Sequence, residues 1–175
     1  MKEVLDFRPV SERPEIVSNS VFDAAKLVPR IMSAQIDSKY MGGHELVEHY
    51  GMNPDEGANC IVVRGKRGET RTTAVVLVPV GYRADLNGIV CEKLGAKKVS
   101  MAPLEEVLQE TGMEYGSITP IGIPNTWKIL IDSRLMDKES IIVGGGKQIS
   151  KLLVPTAILR ELPNAEVIAG LAASA

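Results

Sequence analysis

Asn59-Cys60-Ile61-Val62-Val63 and Thr72-Thr73-Ala74-Val75-Val76-Leu77-Val78 decide the fold of this 175-residue chain. Both runs are rich in β-branched residues, and the polar sequence Gly65-Lys66-Arg67-Gly68 lies between them. This pattern predicts a β-hairpin with at least one strand buried on both faces. The hairpin lies in the middle of the chain, and the other elements are predicted around it.

Helices are predicted where apolar residues recur at helical spacing, or where N-cap residues, prolines and glycines mark helix ends. Further β-branched runs predict strands. The predicted helical segments are 21–27, 44–50, 53–56, 85–94, 103–112 and 155–162, and the predicted strands outside the hairpin are 31–37, 98–101, 128–132 and 140–143. This interleaved order predicts a mixed α/β domain, with a mixed β-sheet or a distorted barrel surrounded by helices.

Length and composition favour a single domain, because 175 residues with 45% hydrophobic content can bury one core. We predict an N-terminal extended arm over 1–19, a globular domain over 20–165 and a C-terminal tail over 166–175 that is a loose helix or disordered. No apolar run approaches the roughly 20 residues that span a bilayer, and the N-terminus lacks the apolar core of a signal peptide. We therefore expect a cytoplasmic protein with no membrane partner.

The formal net charge of −2 argues against broad neutralisation of phosphates, and hence against a DNA-binding protein. A local basic patch is still present. Arg64, Lys66, Arg67 and Arg71 cluster around the hairpin turn, and Glu69 is the one acid among them. Such a cluster is more typical of a solvated hairpin tip than of an RNA contact.

The sequence offers few side chains for covalent or metal catalysis. His44 and His49 are five positions apart, whereas the zinc-binding helix motif needs a spacing of four, so neither a metal nor a cofactor is expected. Cys60 and Cys91 lie in apolar segments, which predicts buried and unreactive thiols. Asp132 follows a strand and is predicted to cap the next turn.

Two glycine-containing loops remain as candidate binding elements. In Gly116-Ser117-Ile118-Thr119-Pro120, the glycine lets the backbone approach a ligand, and the peptide N–H groups before the proline can line a pocket for a carbonyl or carboxylate. Gly144-Gly145-Gly146-Lys147 either lets the backbone approach a ligand or only makes a tight turn. These parts suit a mechanism in which the protein positions a substrate and a water, and backbone N–H groups stabilise charge.

Five sequence blocks occur in the order found in one family. They are Asp85-Leu86, Leu94 to Ala102, Glu105-Glu106-Val107 with Thr111-Gly112, Gly116-x-x-x-Pro120-x-Gly122, and Ile142 to Gly146. Together they resemble the YbaK/ProX family, free-standing relatives of the editing domain of bacterial prolyl-tRNA synthetase, over about residues 20–165. The resemblance implies a mixed β-sheet or barrel flanked by helices, and the hydrolysis of mischarged aminoacyl-tRNA.

The resemblance also implies roles for individual residues. The loop from Gly116 to Pro120 is expected to position the aminoacyl ester, and water is expected to attack it with help from the substrate's own 2′-hydroxyl. Further substrate contacts are expected from Ser117, Ile118, Thr119, Gly122, Gly144, Gly145, Gly146 and Lys147. The expected partners are the acceptor end of an aminoacyl-tRNA and an aminoacyl-tRNA synthetase.

Asn59 departs from the family pattern, because family members with editing activity carry a lysine at this point in a Lys-Thr-Leu-Val-like run. We expect Asn59 to touch the substrate carbonyl or a phosphate, since an amide donates a hydrogen bond but brings no positive charge. Loss of a charge-assisted hydrogen bond costs about 1.5–3 kcal/mol. Three outcomes are open: a slow enzyme, another cation such as Lys66 or Lys147 in the lysine's place, or a module that binds aminoacyl-tRNA or a small ligand without hydrolysis.

Overall fold

Strands and helices interleave in the computed structural model, which describes residues 2–175. The strands are β1 (Arg8–Pro9), β2 (Met32–Gln35), β3 (Ala58–Arg67), β4 (Thr70–Pro79), β5 (Tyr82–Ala84), β6 (Lys98–Met101), β7 (Lys128–Asp132), β8 (Ser140–Gly144), β9 (Ser150–Pro155), β10 (Ala165–Ile168) and β11 (Ala172–Ser174). The helices are α1 (Asn19–Lys26), α2 (Gly43–Tyr50), α3 (Cys91–Lys93), α4 (Leu104–Thr111) and α5 (Thr156–Glu161), and a π-helical turn at Leu86–Val90 leads into α3.

The predicted hairpin forms the centre of a five-stranded mixed sheet with the order β10-β7-β4-β3-β6. β4 pairs antiparallel with β3 and parallel with β7. Its residues alternate between two hydrophobic clusters: Val75 and Leu77 pack on one face, and Val76 and Val78 pack on the other. The prediction of a strand buried on both faces is therefore confirmed.

A second sheet is antiparallel and has the order β1-β2-β9-β8. A parallel bridge between Gly57 and Ile142 links it to the region just before β3. The smaller β11-β5 pair is hydrogen-bonded to neither sheet, but it packs in the same hydrophobic cluster as β4. These sheets do not close on one another, so the mixed sheet, and not the barrel, is the correct alternative of the two predicted.

Two local predictions are wrong, and strands β5 and β9 were not predicted. The tail is not a loose helix or disordered, because β10 pairs with β7 and β11 pairs with β5. β9 lies in a segment without a predicted element. The predicted polar tip is mostly strand, since β3 runs through Arg67 and the turn is formed by Gly68 and Glu69.

The N-terminal residues also take part in the domain. β1 pairs with β2, and Val10, Ile16 and Val17 are buried in the main hydrophobic cluster.

Buried Asp132 fixes the opposite end of the chain: its side chain accepts hydrogen bonds from the N–H groups of Arg134 and Ala172, each at 2.9 Å. The predicted cap is confirmed, and it also holds β11. No helix within 2–175 has the length and apolar character to cross a membrane.

Candidate active site

A mostly apolar cleft of about 380 Å³ lies on the face of the five-stranded sheet that carries Ala58, Cys60 and Val62 of β3. Its walls come from the start of α2, from the β6–α4 connection and from the loop around Gly116. The remaining lining residues are Met41, Gly42, Gly43, Asn59, Ile61, Met101, Ala102, Leu104, Val107, Tyr115, Gly116, Ile118, Gly144 and Lys151. Volume and apolar lining match those of small-molecule sites in proteins.

The structure brings four of the predicted site residues together in this cleft: Asn59, Gly116, Ile118 and Gly144. Asn59 is exposed near the start of β3. Gly116 has φ of +79°, a left-handed conformation that side-chain-bearing residues rarely adopt. Within residues 2–175, the N–H groups of Gly116 and Ile118 donate to no protein acceptor. Two backbone donors beside the cleft are therefore free for a ligand.

Lys151 is the charged side chain of the cleft, and sequence reasoning missed it. It lies on β9 directly opposite Gly144 on β8, and only 9% of its surface is exposed. No ion pair or hydrogen bond from its ammonium to another described residue is present, and burial alone lowers its pKa from 10.5 to about 8. The other residues lining the cleft carry no formal charge. A single uncompensated cation thus faces an otherwise apolar site.

The two cations considered as substitutes for the family lysine lie elsewhere. Lys147 donates a hydrogen bond of 2.9 Å from Nζ to the carbonyl oxygen of Glu15. Lys66 is exposed near the far end of β3. Neither lines the cleft. Lys151 is therefore the one cation among the residues that line the cleft.

The turn formed by Gly144, Gly145 and Gly146 is hydrogen-bonded to the Gly116 loop. The N–H of Gly146 donates to the carbonyl of Ser117 at 2.9 Å, and the N–H of Glu114 donates to the carbonyl of Gly146 at 2.8 Å. Gln148 adds two bonds, from its N–H to the Glu114 carboxylate at 2.7 Å and from Nε2 to the carbonyl of Tyr115 at 2.9 Å. The two loops that the sequence singled out are thus held together as one unit.

The remaining predicted site residues point away from the cleft. Pro120 and Gly122 line a second cavity, between α1 and α5. Ser117 and Thr119 are buried, and the hydroxyl of Thr119 has no partner among the described residues. Gly145 and Gly146 crowd against Ser150 and Ser18 respectively. Of the Gly-x-x-x-Pro loop, only the first half faces the cleft.

Cys60 is the one thiol in the cleft. Burial raises the pKa of the Cys60 thiol well above its usual range, so the sulfur stays protonated and is a poor nucleophile. Cys91 is partly buried, and its Sγ donates to the carbonyl of Ala96. His44 and His49 lie on α2 outside the cleft, and no group of three or more His, Cys, Asp or Glu suited to a metal occurs within 2–175.

Tyr115 is a second cleft residue that the sequence did not reveal. Its ring is 60% exposed, and it lies at the mouth of the cleft with the exposed side chains of Met101 and Leu104. Exposed aromatic and apolar side chains at a pocket rim can stack on a planar ligand. The only sequence signal was its position beside Gly116.

Comparison with known proteins agrees with this geometry. The sequence matches the aminoacyl-tRNA editing domain family over residues 41–162, a range that contains every residue of the cleft. The chain belongs to this family. The resemblance inferred from the sequence blocks is thereby confirmed.

Relatives of this editing domain occur within larger proteins and as separate chains. A proline–tRNA ligase from Kosmotoga olearia is 28% identical over 105 residues, which cover 59% of this chain and 17% of the ligase. The crystal structure of a candidate trans-editing enzyme for prolyl-tRNA synthetase superposes with a TM-score of 0.74 at 20% identity, covering 87% of this chain and 97% of the other. A hypothetical protein of known structure gives 0.76 at 20% identity, covering 89% and 100%. At these identities the structures show a shared fold.

Proposed function

We propose that this chain is a trans-editing hydrolase that deacylates mischarged aminoacyl-tRNA, with the aminoacyl ester bound in the cleft lined by Asn59, Gly116 and Lys151. Membership of the aminoacyl-tRNA editing domain family supports the substrate class. The observation that carries the proposal is that the unpaired ammonium of Lys151 belongs to the same cleft as two backbone N–H groups without a protein acceptor, those of Gly116 and Ile118. All three are donors suited to an oxygen that gains negative charge.

The chemistry follows from these donors. Water attacks the ester carbonyl carbon, and the carbonyl oxygen takes the negative charge, which Lys151 and the N–H groups of Gly116 and Ile118 stabilise. When the carbonyl re-forms, the bond to the ribose oxygen breaks, and that oxygen takes the electron pair and a proton. The products are the free amino acid and the uncharged tRNA, and the vicinal 2′-hydroxyl of the substrate assists the proton transfers.

Water is the attacking group because the cleft supplies no activated protein nucleophile. Cys60 is held as the thiol by burial. Lys151 carries the one amine among the residues that line the pocket, and its role here is to stabilise charge. Hydrolysis in this site depends on positioning and on charge stabilisation, which together supply large rate enhancements in other enzymes. Gly144, Gly145 and Gly146 act in this scheme mainly by holding the loop and leaving space.

Tyr115 is proposed to stack on the terminal adenine. Base–aromatic stacking contributes about 1–3 kcal/mol per base in nucleic-acid complexes. Tyr115→Ala is therefore expected to raise KM for aminoacyl-tRNA by roughly ten- to a hundredfold, with kcat less affected. Tyr115→Phe, which keeps the ring, is the matched control and is expected to behave like the wild type.

A panel of aminoacyl-tRNAs incubated with excess protein tests the hydrolase directly. Turnover of at least one member that falls on Gly116→Ala supports the proposal, because φ of +79° and a Met41 methyl 2.8 Å from the added Cβ both oppose alanine. Binding of aminoacyl-tRNA without turnover of any member would instead establish the alternative, a non-catalytic binding module, which the substitution at Asn59 favours. Pro120→Ala also tests the loop, since Pro120 acts by fixing the backbone and not by contact with the cleft.

A further inference from the structure

Three cations on three neighbouring strands form a row at one end of the five-stranded sheet. Lys66 on β3 lies directly opposite Arg71 on β4 and directly opposite Lys98 on β6. All three side chains are exposed, and none has an ion-pair partner among residues 2–175. Directly opposed residues share a sheet face, with neighbouring strands about 4.8 Å apart, so the row is roughly 10 Å long.

Nearby basic residues are already engaged and do not belong to the row. Arg64 is buried and forms an ion pair with Glu106 of α4. Arg67 donates from Nε to the carbonyl of Gly95. Glu69, in the turn between β3 and β4, is the nearest acid along the chain and is not paired with the row. Like charges directly opposite each other destabilise a sheet, so the fold gains nothing from this arrangement.

The row lies on the same sheet face as the cleft. Side chains alternate along a strand, so Lys66 shares its face with Val62 and Cys60, which line the cleft. Lys66 is four residues beyond Val62, about 13 Å at a rise of about 3.3 Å per residue. Arg64, which is paired with Glu106, lies between Val62 and Lys66 on this face, so a polyanion that joins the cleft to the row passes over this ion pair.

We propose that Lys66, Arg71 and Lys98 bind phosphates of the tRNA acceptor strand upstream of the terminal adenosine. This inference rests on the proposed function for the identity of the polyanion. Phosphate contacts by lysine and arginine fix the register of a nucleic acid without reading its sequence. The row positions the acceptor end so that its terminal ester reaches Gly116 and Lys151.

The test compares Lys66→Gln/Arg71→Gln/Lys98→Gln with a control that removes the same number of charges elsewhere. The control is Arg30→Gln/Lys128→Gln/Arg160→Gln, three exposed cations that do not line the cleft and have no ion-pair partner among residues 2–175. The affinity for uncharged tRNA is measured against KCl concentration. Each phosphate contact contributes about 0.7–0.9 to the magnitude of the slope of log K against log salt, so loss of three contacts is expected to lower that magnitude by about 2–3.

The expected pattern has three parts: a lower slope in the row variant only, unchanged hydrolysis of an aminoacylated adenosine, which has no upstream phosphate, and equal or higher thermal stability. Row and control variants that bind tRNA alike, or a wild type that binds no tRNA at low salt, would overturn the inference. A row variant that loses tRNA affinity while the wild type hydrolyses nothing would uphold the surface and refute the proposed catalysis. If the row variant binds tRNA with normal affinity while the wild type hydrolyses aminoacyl-tRNA, the proposed catalysis is upheld and the proposed binding surface is refuted.

Discussion

Lys151 lies directly opposite Gly144 in the antiparallel β8–β9 pair, and both residues line the same cleft. A Cβ added at Gly144 would lie 2.7 Å and 2.9 Å from the carbonyl oxygens of Ser117 and Ile118, so this glycine lets the Gly116 loop pack directly on β8. The missing side chain therefore brings the backbone of that loop to the strand that pairs with Lys151.

Lys151→Met tests whether this charge serves function at the expense of stability. Methionine keeps the apolar stem, and loss of a charge-assisted bond is expected to lower single-turnover deacylation by roughly ten- to a hundredfold. Removal of a buried and unpaired charge is expected to raise the free energy of unfolding by roughly 1–3 kcal/mol, since the pKa falls from 10.5 to about 8 on folding. Denaturant unfolding and deacylation assays measure the two effects. A variant with full activity would show that Lys151 does not stabilise the transition state.

The pH dependence follows from the direction of the same shift. An ammonium with a pKa of about 8 is charged below that pH and neutral above it, so the rate advantage of the wild type over Lys151→Met is expected to shrink above pH 8. Between about pH 8 and 10.5 the unfolded chain binds more protons at this site than the folded one. The free energy of unfolding of the wild type therefore increases as the pH rises through this range. The ratio of wild-type to variant rates over pH 6.5–9.5 gives the profile. Cys60 and Tyr115, the other titratable groups of the cleft, are present in both proteins and cancel in the ratio.

Gly144→Ala is expected to disable the site without removing any polar group. An added Cβ would lie 2.7 Å from the carbonyl oxygen of Ser117 and 2.9 Å from that of Ile118, so the loop must move. Displacement of catalytic donors by about 1 Å can cost a hundredfold in rate. Gly65→Ala is the control, because its Cβ would meet the Ala96 Cβ at a similar 2.9 Å but outside the cleft. Equal loss of deacylation in both variants would indicate a general packing defect and contradict the specific role of Gly144.

Local sequence signals were sufficient for most of the fold. The hairpin, β7 and β8 have strong β-branched patterns, and α2 and α4 have helical spacing with glycine at their ends, so each element is specified by its own residues. β11 is different, because its sequence Ala172-Ala173-Ser174 carries no strand pattern, and it forms a strand through its pairing with β5. β10 has only Val167 and Ile168 as β-branched residues, and its pairing with β7 makes it a strand. The local β-propensity of a segment does not reveal its pairing with a distant strand.

The candidate site was harder to predict for the same reason. Gly116 and Gly144 were visible as glycines at turns, whereas Lys151 is only one lysine in the run Ser150-Lys151-Leu152-Leu153-Val154. Its importance comes from its burial and from its place opposite Gly144, and both depend on the pairing of β9 with β2 and β8. A lysine inside an apolar run is the one signal that the sequence held.

Asn59→Lys in the Lys151→Met background asks whether one cation can replace the other. Asn59 lines the cleft at the position where the sequence resemblance predicts a lysine, and its side chain is exposed enough for a longer one to be accommodated. The double variant is expected to recover most of the deacylation that Lys151→Met loses, and Asn59→Lys alone is expected to raise activity above that of the wild type. Asn59→Gln adds length without charge and should rescue nothing. Single-turnover rates for these five proteins decide the point: if Asn59→Lys fails to rescue while both variants remain folded, the two positions do not serve the same oxygen, and Lys151 has a role of its own.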